Sequence, residues 1–227
     1  MSKNRKNRKR QKNQKYEEFI KFLFARGESD GGVWRWDDEL KEPDLTKEEV
    51  VEFVHYMFDN YETDLSVYSD SQLGFGLEYV FYNCYSNYCF FLRDGPVSIE
   101  KRVKAILSLK VLYRKCLNLR CLPSLGYLSE EGNQLNNFCY GLWDSALPYC
   151  EESSQKKEIH AAVLEVMQYA LSSTNIACIE SGLHGLGHLA YYCEDAPKIV
   201  RGFIDGNSCA DDRLIKYAKS AERGLVN

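Results

Sequence analysis

The chain has 227 residues, 44% of them hydrophobic and 13% aromatic, enough to bury a core of its own as one large or two small domains. Its apolar stretches, Ile106 to Tyr113 among them, are broken by Lys or Arg well short of the roughly 20 residues a membrane span needs, and the charged N-terminus carries no apolar segment of the secretory kind. These features argue against membrane insertion and export and lead to the expectation of a cytoplasmic protein, or a nuclear or nucleolar one in a eukaryote.

Charge divides the chain. The formal net charge is −4, but residues 1–15 hold Lys3, Arg5, Lys6, Arg8, Lys9, Arg10, Lys12 and Lys15 with no acid, a local +8 that leaves the remaining residues at −12. This tail has no apolar residue after Met1, so it has nothing to bury and is expected to be disordered when free. Its composition suits contact with a polyanion such as RNA, DNA or an acidic lipid surface, with counterion release supplying affinity for a nucleic acid, or a return onto the anionic body.

Residues 16–45 read as a short helix near 16–26 and an aromatic, acidic loop near 27–45. Within that loop Trp34, Arg35, Trp36, Asp37 and Asp38 have the composition of an interface hot spot; the plainer reading is that both indoles pin the N-terminal segment to the body. Residues 46–227 read as one helical domain. Thr46-x-x-Glu49 and Ser69-x-x-Gln72 have the form of capping boxes and place two helix starts. Apolar stripes at helical spacing follow: Val50, Val54, Met57 and Tyr61; Ile99, Val103, Ile106, Leu109, Tyr113 and Leu117; Ile159, Val163, Val166 and Ala170. The pattern predicts helices near 46–61, 69–92 with a break near Ser86-Asn87, 98–120, 133–147, 154–172, 175–193, 196–205 and 210–225. All five prolines fall between these runs or at their edges, and nothing reads as a strand.

Gly74-x-Gly76 to Asp94-Gly95 and Gly185-x-Gly187 to Asp205-Gly206 share the frame G-x-G-(x)17-D-G, 111 residues apart. With Val50-Val-Glu52 echoed at Val163-Leu-Glu165, this suggests two related units, about 46–120 and 157–225, joined by a linking helix. The arrangement resembles armadillo or HEAT-type helical repeats. That resemblance implies an irregular all-α array of stacked amphipathic helices offering a binding surface; an irregular helical bundle is the alternative.

Two constellations carry potential chemistry. Glu180, His184 and His188 are four apart, so adjacent members share a helix face and the two imidazoles can approach one metal ion. The metalloprotease motif needs Glu directly after the first His, where Gly185 stands, so the expected role of the pair is structural, with no cofactor. Gly182, Gly185 and Gly187 cost about 1 kcal/mol each inside a helix, which close crossing by a neighbouring helix would offset. Tyr140, Trp143 and Asp144, in the linking helix, are groove candidates. The nine cysteines are odd in number and form no C-x-x-C pair, so most are expected to be reduced and buried.

The function expected from these features is non-enzymatic: an acidic helical body that binds another protein, a basic one in an inhibitor, immunity or adaptor role. Its alternatives are a nucleic-acid-associated protein acting through residues 1–15 and a metal-dependent enzyme centred on His184 and His188.

Overall fold

The computed structural model describes residues 2–26, 31–149, 154–206 and 211–226, and among them every regular element is helical. In chain order these are α1 (Ser2–Phe24), a 3₁₀ turn (Val33–Trp36), α2 (Lys47–Asp59), α3 (Tyr61–Asp64), α4 (Asp70–Phe81), α5 (Tyr88–Arg93), α6 (Ile99–Leu107) and α7 (Leu109–Leu112). A π turn (Tyr113–Leu117) leads into α8 (Asn118–Arg120) and a second 3₁₀ turn (Gly126–Leu128). Then come α9 (Gln134–Gly141) with a 3₁₀ extension (Leu142–Asp144), α10 (Lys156–Ala170), α11 (Ile176–Leu189), α12 (Asp195–Asp205) and α13 (Asp212–Ala221). None of the described helices is long and apolar enough to cross a membrane.

Both capping boxes form. Thr46 Oγ1 accepts from Glu49 N and Ser69 Oγ from Gln72 N, each at 3.1 Å, while the Glu49 and Gln72 side chains accept from the cap residues' own N–H groups. The predicted 69–92 helix breaks where expected: α4 ends at Phe81, Ser86 donates from Oγ to the Tyr79 carbonyl, and α5 begins at Tyr88. The 98–120 run is interrupted as well. At Ser108 the hydroxyl donates to the Ala105 carbonyl (2.6 Å), and side-chain competition of this kind loosens a helix.

At the N-terminus α1 runs from Ser2 and is continuous with the apolar anchor Phe19, Leu23 and Phe24. Lack of apolar surface does not forbid a helix here, because Lys, Arg and Gln are good helix formers and the return onto the body is electrostatic: Lys15 Nζ lies 3.0 Å from Glu49 Oε2, and Lys12 pairs with Glu52. The side chains of Lys3, Arg5, Lys6, Arg8 and Lys9 lie outside the described residues.

A single apolar core takes in residues from α1 through α13. The described cysteines are free thiols: Cys89, Cys116, Cys121, Cys139 and Cys178 are buried, Cys193 is half-buried and Cys84 exposed, with Cys150 and Cys209 outside the described residues. Gly74 is the fifth residue of α4 and Gly185 the tenth of α11, so the glycine frame sits at different depths in the two helices.

Candidate metal centre

Helix α11 is the innermost element near the site. Asn175 caps it, its Oδ1 accepting from Ala177 N at 3.0 Å, and every residue from Ala177 to Gly187 is buried. Its glycines are what lets the neighbours approach: a Cβ on Gly182 would stand 2.7 Å from the Met167 carbonyl, one on Gly185 2.7 Å from the Trp143 ring, and one on Gly187 2.5 Å from Val226. Ser181 fixes the helix further, with its Oγ 2.7 Å from Tyr113 Oη, the first residue of the π turn.

On this helix His184 and His188 turn to one side, as their spacing predicts, with ring centroids 4.5 Å apart and nearly perpendicular planes. The third member comes from elsewhere. Trp143, fully buried, covers Gly185 and donates from Nε1 to Tyr113 Oη (3.2 Å), and this anchor presents the next residue, Asp144, to the imidazoles. Asp144 Oδ1 lies 2.9 Å from His184 Nε2 and 2.7 Å from His188 Nε2, and the two Nε2 atoms are 3.0 Å apart. His184 is fully buried, His188 mostly so, and Asp144 half-exposed at the rim of a cavity of about 220 Å³ that Tyr82, Asn83, Cys84, Gly141 and Ser145 also line. Among the described residues this is the one cluster of three metal-ligating side chains. Partial burial pulls the Asp144 pKa upward, but the hydrogen bonds and charges of both imidazoles outweigh it and hold the carboxyl well below the usual range, so it is ionised.

Aromatic side chains orient the two imidazoles. Tyr217 of α13 places its hydroxyl 2.6 Å from His184 Nδ1, and its ring stacks on Tyr127 at 4.5 Å. Tyr140 lies against the His184 ring at 4.6 Å, and Tyr149 edges His188. Tyr140 thus supports the site from the wall of a polar cavity, and Trp143 is a core residue rather than a groove one.

Glu180 does not join the histidines. Its carboxylate accepts from Gly126 N (2.7 Å) and Tyr127 N (3.0 Å), clamping the turn before α9, and both oxygens are thereby occupied. It also lines a polar cavity of about 280 Å³ with Asn136, Asn137 and Tyr140. Burial outweighs the two N–H bonds and pushes its pKa up to about 7.

The Trp loop divides. Trp34 is buried, stacked on Tyr79 at 5.2 Å with the Arg26 guanidinium over its ring, so it pins the N-terminal segment. Arg35 is turned inward as well, paired with Glu78 and sandwiched by Phe75 and Tyr85 at 4.4 Å each. Trp36 stays 60% exposed, edge-on to Tyr85, with Asp37 and Asp38 exposed after it.

No protein-family model matches the chain, and neither does a curated protein or a solved structure, so the functional reading rests on this geometry.

Proposed function

We propose that the chain is a metal-dependent protein that holds one divalent transition-metal ion on His184, His188 and Asp144. The observation that carries this reading is the triangle of 2.7, 2.9 and 3.0 Å between Asp144 Oδ1 and the two Nε2 atoms. Hydrogen bonding cannot satisfy all three edges. If both nitrogens carry protons, both donate to Asp144 and two N–H groups face each other; if one does not, its lone pair faces either the carboxylate or the other nitrogen. A cation at the shared focus satisfies all three lone pairs at once.

The edge lengths also select a geometry. With metal–ligand bonds of about 2.1 Å, ligands at right angles are about 3.0 Å apart and tetrahedral ones about 3.4 Å. The triangle therefore fits one face of an octahedron, the two-histidine, one-carboxylate arrangement whose remaining positions stay open for exogenous ligands. A closed structural zinc site takes four protein ligands, so this three-donor set beside a cavity fits a catalytic role, in which the metal polarises a bound substrate or lowers the pKa of a bound water.

Elemental analysis of protein purified without a histidine tag is the test. It should return about one equivalent of metal, absent from a His184→Gln/His188→Gln variant that keeps its helical circular dichroism. No retained metal and no saturable binding of Fe(II), Mn(II), Co(II) or Zn(II) would overturn the reading. Tyr217→Phe tests the orienting contact: with the metal on Nε2, His184 Nδ1–H donates to the Tyr217 oxygen, so the variant should keep the fold and lose about 10- to 100-fold in metal affinity.

A second reading retains the protein-interaction expectation. It is favoured by Trp36, a large exposed indole followed by exposed Asp37 and Asp38, which suits a basic partner. Loss of a captured partner in Trp36→Ala, with metal content unchanged, would support it.

A further inference from the structure

We propose that residues 3–10 of α1 form a nucleic-acid-binding segment that grips the phosphate backbone. The segment holds Lys3, Arg5, Lys6, Arg8, Lys9 and Arg10, six cations on about 12 Å of helix. Charges on a helix surface are neutralised most readily by partners three or four residues away, and here there is none: the first acid in the chain is Glu17, out of reach of position 10.

The acids of α2 that pair with α1 do so through Lys12 and Lys15, beyond the segment. On α2, Glu49 holds Lys15, Glu52 holds Lys12 and Lys101, and Glu48 also holds Lys101. Lys12, Lys15 and Phe19 lie on the face of α1 that meets the body. Arg10, at the end of the segment, is exposed, as are Gln11, Asn13 and Gln14 beyond it.

The partner's chemistry follows from what the segment lacks. A helix that lies on an acidic membrane needs an apolar face to bury, and there is no apolar residue between Ser2 and Lys15. The same stretch offers Asn4, Asn7, Gln11, Asn13 and Gln14, amides that hydrogen-bond phosphate and sugar oxygens without reading sequence. Residues 16–227, at −12, repel phosphates and confine contact to the first half of α1.

Fluorescence anisotropy of the full chain with a labelled single-stranded RNA, the matching single-stranded DNA and the DNA duplex tests this. Binding should weaken with salt at a log–log slope of about −4 to −5, the value for six phosphate contacts. Replacing all six cations with Gln should bring that slope close to zero and cost at least about 100-fold in affinity at low salt. Its thermal melt should match that of the unmodified chain, because Lys12, Lys15 and Phe19 are untouched; if the variant fails to fold, the salt slope of the unmodified chain decides alone. Similar affinities for the three probes mean backbone readout, and a preference among them identifies which nucleic acid is held. Absence of binding at low salt, a salt-independent affinity, unchanged binding by the six-fold variant, or tighter binding to phosphatidylserine vesicles than to every nucleic acid would each overturn the proposal.

Discussion

Gly76→Ala is expected to lower the melting temperature by roughly 2–12 °C, while Gly202→Ala raises it. A Cβ on Gly76 would stand 2.4 Å from the Phe24 ring and 2.6 Å from the Leu23 carbonyl, where α1 crosses α4. Neither neighbour has room to move: Phe24 is fully buried, and the carbonyl belongs to the backbone of α1. Overpacking of this kind costs about 1–3 kcal/mol, and each kcal/mol is worth about 2–4 °C in a chain of this size. Gly202 lies inside α12 with nothing within 4 Å of its Cβ position, so alanine there only restricts the unfolded chain and should add about 0.5–1 kcal/mol. The opposite signs are the test. Equal, small effects in differential scanning fluorimetry would mean that the α1–α4 crossing accommodates a Cβ at position 76, and that α1 is not held to the body through Phe24.

The helices were legible because their signals are local. Thr46-x-x-Glu49 and Ser69-x-x-Gln72 specify hydrogen bonds within four residues, and the stripes specify one buried face each, so the starts of α2 and α4 and the break before Tyr88 could be read without any tertiary information. The shared face of His184 and His188 was legible for the same reason. Asp144 was not legible as their partner: it precedes His184 by 40 residues, and its position depends on Trp143 packing over Gly185 and finding Tyr113. Glu180 had the right spacing and the wrong outcome, since the amides of Gly126 and Tyr127, more than 50 residues upstream, take both its oxygens.

The same limit explains the N-terminal segment and the Trp loop. Composition measures what residues 1–15 can bury, which is nothing, but not the acids that α2 brings to Lys12 and Lys15. Trp34, Arg35 and Trp36 are consecutive and alike in composition, yet the 3₁₀ turn sends Trp34 onto Tyr79, Arg35 onto Glu78 and Trp36 to the surface. A turn geometry decides which of three adjacent side chains remains available to a partner, and composition carries no record of it.

The stability difference between the unmodified chain and Glu180→Gln should swing toward the variant by about 3 kcal/mol as pH rises from about 4.5 to 7.5. The sign follows from linkage. Glu180 has a folded-state pKa of about 7 against an ordinary 4.5, raised by burial in spite of its two N–H donors. Its stabilising contribution is therefore complete below pH 4.5, where the carboxyl is protonated in both states, and is lost progressively as pH rises through 7. Two and a half pH units at about 1.4 kcal/mol each give the magnitude. Glu130 adds to the upward shift, and Arg213 and Asp211 act on the neighbouring Tyr127; all of them are retained in the variant, so the difference isolates residue 180. Urea unfolding of both proteins at several pH values measures it. A difference that does not vary with pH would show that the amides of Gly126 and Tyr127 keep the carboxylate charged throughout, and that this clamp on the turn before α9 does not loosen near neutrality.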